Sequence, residues 1–240
     1  KKLGHLGVYT SLVFLSVYLP ELGVVHLTKF LGWGIDGYSI ISLVWELVLV
    51  VLFVFWLKKK EMLYIFEKKS SKKSRFFYLV FGLVATYFNR QLVDAFQLQF
   101  HHQIDNKYIF QDLLSILYSN GQPTFLSTVL SFSLTVVVGP ILEELIHRGY
   151  FMNTFFPQSK YYLDVILSAL IFGLSHLILT HRDPISLIIY SFVGLFFALV
   201  YRWTKNLKIT ILCHSFFNFL IYAKPIWIFV YNYVYYHFFR

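Results

Sequence analysis

Charge is what this sequence has least of. Only 14% of its 240 residues are Asp, Glu, Lys or Arg, against roughly 25% in an ordinary soluble domain. No polar stretch exceeds about two dozen residues, which excludes a separate soluble domain within these residues. Acidic groups are scarcer still, 12 against 21 basic ones. A single cysteine, Cys213, excludes an internal disulfide framework and reads as a small core residue. No internal repeat of solenoid period is present. No H-E-x-x-H run occurs, so the helical zinc-protease signature is missing.

What fills the chain is apolar. Hydrophobic residues make up 58% and aromatic residues 21%, with a mean hydropathy of +0.62. The expected fold is all-α: a single integral membrane domain over residues 1–240, built of about eight transmembrane helices around a membrane-buried polar cavity. A crossing helix needs roughly 20 apolar residues. Runs of that kind lie at about 6–28, 39–57, 76–98, 124–142, 162–179, 185–202, 207–223 and 225–239. Lys224-Pro225 splits the last two. The basic N-terminal stretch has no small-residue cleavage site after its apolar run, so it reads as a retained first span.

The net charge of +9 belongs to loops rather than to a nucleic-acid surface, because cytosolic loops of membrane proteins concentrate Lys and Arg. Residues 58–75 hold eight of them and are expected in the cytosol, where they could also face anionic lipid. Alternating eight spans from there puts both termini inside and divides the basic residues 16 inside to 4 outside, with Arg90 in a span. Few Ala and many Lys, Ile, Phe and Tyr suggest an AT-rich bacterial genome, hence a multi-pass protein of a bacterial cell membrane. The outer loop, about 99–123, includes a helical pattern that could lie along the interface. Its His101-His102 pair reads as solvated.

Ionisable groups inside apolar segments are costly and are functional-site candidates by default. Three segments supply them in order. Residues 139–151 read GPILEELIHRGYF, with Glu143, Glu144 and Arg148. Residues 170–179 read LIFGLSHLIL, with Phe172 and His176. Residues 211–220 read ILCHSFFNFL, with His214 and Asn218. Gly139-Pro140 marks a break or restart, with Pro suited to a first helical turn. Glu144 and Arg148 are i and i+4 and can pair, which leaves Glu143 as the freer carboxylate and a suitable general base. His214 and Asn218 share a face and could donate to a developing oxyanion. Glu143 with His176 could orient and deprotonate a water. For the Glu-bearing helix to bring Glu143 to His176, it must continue past Arg148 to about Phe156, where Pro157 would end it. Glu143, His176 and His214 are also zinc-ligand types. Elsewhere, Arg90 and Asp94 are spaced to pair. Glu46 has no local partner, and could face the same cavity or bond to another helix.

The patterns E-E-x-x-x-R (Glu143, Glu144, Arg148), F-x-x-x-H (Phe172, His176) and H-x-x-x-N (His214, Asn218) resemble the three motifs of the CPBP intramembrane peptidases, the group of type II CAAX prenyl endopeptidases and bacteriocin-processing or immunity proteins, also called Abi. The resemblance covers about residues 124–223, with 1–123 as additional spans and loops. It implies a metal-independent glutamate-type endopeptidase with no cofactor. Glu143 and His176 would activate water, His214 and Asn218 would hold the oxyanion, and Glu144, Arg148 and Phe172 would support them. His147 stands at a variable position that is commonly aromatic. The implied partners are membrane lipid and a peptide precursor or lipidated protein tail, with no nucleic acid. Two other functions fit the same residues: a non-catalytic immunity or regulatory protein, and a small transporter with a polar relay. The absence of paired broken-helix repeats counts against the transporter.

Overall fold

The computed structural model describes residues 2–66, 72–100, 124–177 and 184–238. Among them there is no β-strand, and the chain is an all-α polytopic membrane protein. Seven helical rods follow one another among the described residues: α1 (2–31), α2 (Gly34–Lys59), α3 (Lys72–Gln99), α4 (Phe125–Phe155), α5 (Leu163–His176), α6 (Pro184–Thr204) and α7 (Leu207–Phe238). A short 3-10 turn, Leu63–Phe66, follows α2. The α2, α3, α4 and α6 rods are long and apolar enough to cross a membrane, and shorter apolar stretches lie at Leu3–Tyr18, Leu163–His176 and Leu207–Ala223. Leu, Phe, Val and Trp side chains along these rods are exposed in large numbers, as a lipid-facing surface requires.

Two sequence expectations change. The runs 207–223 and 225–239, expected as two spans, form one continuous helix of 32 residues. Pro225 removes a backbone donor but does not break the rod, and such prolines are tolerated where the surroundings are apolar and a turn would expose more unpaired backbone. At 1.5 Å per residue the rod is about 48 Å long, ample for one crossing. Second, the apolar run expected to end near residue 142 continues to Phe155, the extension that bringing Glu143 to His176 requires, and only the loop position of Arg148 changes. Arg148 therefore lies inside the bundle, fully buried, and not in a cytosolic loop. Pro157 lies just beyond, and Phe156 leaves the helical region at φ −139°, ψ 55°, as a residue before proline tends to do. The His101-His102 pair and the interfacial pattern within 99–123 lie outside the described residues, as do residues 67–71 of the basic loop.

The core sits where α4 meets its neighbours. Leu142, Leu145, Ile146, Tyr150 and Met152 of α4 pack with Phe53 and Leu57 of α2, Ala198 and Tyr201 of α6, and Leu207 of α7. A second cluster joins Phe172, Val193, Phe197, Cys213 and Phe217, which places the lone cysteine in the core. The α5 and α6 rods approach most closely at two glycines. A Cβ on Gly173 would stand 2.2 Å from Ser191 Oγ, and one on Gly194 would stand 3.0 Å from Phe172 and 3.1 Å from the Ala169 carbonyl. Small residues at such crossings let helix backbones approach in lipid. Here they bring Phe172 and His176 against α6.

Candidate active site

The Glu-bearing rod is wound unevenly. Two stretches of π-helix, Leu134–Val138 and Leu145–Met152, flank the regular turn Gly139–Glu144. Such wide turns recur at functional sites, and one of them has a local cause. Gly139 donates its N–H to the carbonyl of Leu134, five residues back. The next donor in that register, to the carbonyl of Thr135, would be residue 140, which is proline and has no N–H. A buried carbonyl without a partner is costly. Asn218 of α7 supplies the missing donor, Nδ2 to Thr135 O at 2.8 Å. Pro140 thus creates the vacancy that fixes Asn218 against the Glu-bearing helix. Further along, Asn153 Nδ2 donates to the carbonyls of Arg148 and Gly149 and to the Tyr201 hydroxyl, tying the end of the second wide stretch to α6.

Around this helix the three motifs converge. Glu144 and Arg148, both fully buried, pair at 3.0 Å. Arg148 Nη2 donates to the Gly194 carbonyl at 2.8 Å, and its guanidinium lies 4.6 Å from the ring centroid of Phe172. The same Glu144 oxygen contacts His214 Nδ1 at 2.8 Å. That bond orients the imidazole, whose ring stacks on Phe197 with centroids 4.4 Å apart. The His214 Nε2 atom then faces Glu143 Oε2 at 3.8 Å. His176 is set in the same way from the other side. Its Nδ1 donates to the Phe172 carbonyl at 2.9 Å, its ring stacks on Tyr190 at 4.5 Å, and its Nε2 points to Glu143 Oε2, also at 3.8 Å.

A separation of 3.8 Å is too long for a direct hydrogen bond, so the carboxylate and both imidazoles can turn to one small molecule between them. The Glu143 side chain is 29% exposed and His176 18%, whereas Glu144 and Arg148 are at 0%. Glu143 and His176 are reachable and the Glu144–Arg148 pair behind them is not. With Nδ1–H committed to a carbonyl, a neutral His176 presents a bare Nε2 as acceptor. Glu143, His176 and His214 therefore gather, Asn218 is anchored to the backbone of the Glu-bearing helix at Thr135, and Phe172, Glu144 and Arg148 lie behind them. No group of three or more His, Cys, Asp or Glu among the described residues is arranged to hold a metal ion.

Several partners of the site have no signature of their own in the sequence. His147 contacts the Tyr9 hydroxyl of α1 through Nδ1 at 2.9 Å and meets Phe172 edge-on. It is a packing residue between α1 and the site's second layer. His5 joins Tyr150 at 2.8 Å in a similar latch. The structural pairs also form: Arg90 with Asp94 at 2.5 Å, and Arg202 with Asp164, with the Arg202 guanidinium over Tyr162 at 3.9 Å.

Comparison with known proteins adds an independent line. Residues 125–220 match the family model described as Type II CAAX prenyl endopeptidase Rce1-like. A candidate membrane peptidase of Bacillus subtilis (strain 168), YdiL, is 33% identical over 82 residues, which cover 34% of this chain and 32% of that protein. The membrane-embedded CAAX protease MroQ of Staphylococcus aureus (strain USA300) is 31% identical over 88 residues, 34% of each chain. An uncharacterized protein of Mycoplasma capricolum is 28% identical over 141 residues, 58% of this chain and 40% of its own. The chain thus spans about a third to two fifths of the length of the curated relatives it matches. No solved structure matches.

Proposed function

We propose that this chain, whose residues 125–220 match the type II CAAX prenyl endopeptidase Rce1-like model, is an intramembrane endopeptidase of glutamate type in the CPBP family. Its substrate is a peptide precursor, such as a bacteriocin or signal peptide, or a lipidated protein tail. The observation that carries this reading is the shared focus of Glu143 Oε2, His176 Nε2 and His214 Nε2, two separations of 3.8 Å on one carboxylate oxygen.

In this reading a water between Glu143 and His176 gives a proton to Glu143 as its oxygen attacks the scissile carbonyl carbon. The carbonyl oxygen becomes an oxyanion. Asn218 can meet it with the Nδ2–H not used on Thr135, and His214 can meet it from Nε2 when the ring carries both protons, with Nδ1–H held by Glu144. Collapse of the tetrahedral intermediate breaks the C–N bond. Glu143 then returns its proton to the leaving nitrogen, giving a new carboxylic acid and a new amine, and the acid passes its proton to the amine to leave a carboxylate and an ammonium. No covalent enzyme intermediate and no cofactor enter this sequence.

A panel of leader peptides and prenylated peptides, offered to the purified protein in liposomes, tests the substrate class. Cleavage confined to one set identifies it. Saturable binding to either set with no cleavage would favour the immunity reading. Two further outcomes are expected. His214→Ala and Asn218→Ala each lower kcat by about 10²–10³-fold with little change in KM, since the lost bonds develop in the transition state. Unchanged kcat in both would remove the oxyanion assignment. Exhaustive chelation followed by dialysis leaves turnover intact, whereas stoichiometric zinc lost together with activity would assign Glu143, His176 and His214 as ligands.

A further inference from the structure

Most buried polar groups outside the site have partners, but Glu46 of α2 stands apart. Its neighbours one turn away are Ser42, Leu43, Leu49 and Val50, so no cation on its own helix balances it. Its Oε2 is buried and makes no hydrogen bond. That oxygen makes no bond to another helix and lies beside the candidate active site. The point where Gly139 would carry a Cβ lies 3.8 Å from Glu46 Oε2 and 3.9 Å from Glu143 Oε1. Gly139 leaves a notch in α4, and the two carboxyl groups border it. Glu143 thus turns Oε2 to the imidazoles, while its Oε1 borders the notch that Glu46 Oε2 also borders.

Two carboxyl groups bordering one apolar notch do not both ionise, because their repulsion is poorly screened there. The Glu143 side chain is 29% exposed, whereas the Glu46 oxygen at the notch is buried. We infer that Glu46 is a positioning residue for Glu143: it keeps its proton and donates it, directly or through one water in the Gly139 notch, toward Oε1, so that Oε2 is the oxygen left to act as base. The inference rests on the proteolytic reading only for its kinetic consequence.

The test has two arms on the full chain in lipid nanodiscs. Infrared spectroscopy at neutral pH should show a buried protonated-carboxyl stretch that vanishes in Glu46→Gln and shifts in Glu143→Gln, where its acceptor changes from carboxylate to amide. No such band, or one indifferent to both substitutions, overturns the inference even if the protein proves not to be a protease. Kinetically, Glu46→Leu should lower kcat by roughly tenfold or more, the scale of a hydrogen bond to a charged group, with KM unchanged. Glu46→Gln, which keeps a donor, should recover part of that loss. In a Glu143→Gln background Glu46→Leu should add no further loss, since it acts through Glu143. An additive loss, or an equal fall in yield for both Glu46 variants, would assign Glu46 a merely structural role. Absence of turnover by the wild type on every substrate counts against the proteolytic reading, and the infrared arm still decides the carboxyl pair.

Discussion

Glu143→Gln lowers turnover by about 10²–10⁴-fold, the usual contribution of a positioned general base, and leaves the protein folded with its substrate affinity nearly intact. The amide matches the carboxylate in size and still offers a hydrogen bond to a molecule held between His176 and His214, each 3.8 Å from the carboxylate oxygen in the wild type. What it cannot do is accept and return a proton. Because Glu143 is partly exposed and is not in the braced Glu144–Arg148 pair, little stability goes with it. Single-turnover kinetics with a thermal melt on the same preparation check both halves. A variant that melts early would locate the effect in folding instead of chemistry.

Arg148→Ala is expected to show the opposite pattern. Removing the guanidinium strands the fully buried Glu144 carboxylate, leaves the Gly194 carbonyl without its donor and uncovers the face of Phe172. Breaking one partner of a buried pair costs roughly 3–5 kcal/mol. Yield and melting temperature should fall, and Arg148→Lys should not restore them, because an ammonium cannot contact Glu144 and the Gly194 carbonyl in the fork geometry of a guanidinium. The surviving fraction should also be slow, since Glu144 orients His214. A normally stable Arg148→Ala protein would mean that the pair contributes nothing to the bundle.

The paired spacings could be read because they are local: i and i+4 residues on a helix share a face whatever the helix packs against. That reasoning reached Glu144 with Arg148, Phe172 with His176 and His214 with Asn218. It could not reach the atoms that aim these side chains. The Thr135 carbonyl is short of a donor because of the register of one wide turn, not because of its own side chain. Tyr190 and Gly194 become site residues through the close crossing of α5 and α6, and Phe197 through the stacking of α6 on His214 of α7. The Tyr9–His147 contact joins residues 138 positions apart, and no periodicity reports such a distance. At Lys224-Pro225 the local signal misled, because a proline that would end a helix in water is tolerated in an apolar rod. At Arg148 hydropathy alone placed a loop where pairing with Glu144 keeps the charge inside. The all-helical, membrane-spanning class needed only composition and run length.

The most direct test is a single-turnover cleavage assay in ¹⁸O-labelled water, with the purified wild type and Glu143→Gln in liposomes and the peptide products read by mass spectrometry. The account predicts that the wild type releases a peptide whose new carboxyl terminus carries one labelled oxygen, and that Glu143→Gln binds the same peptide and releases almost none. Equal cleavage by the two proteins, or binding by both with no cleavage by either, would contradict it.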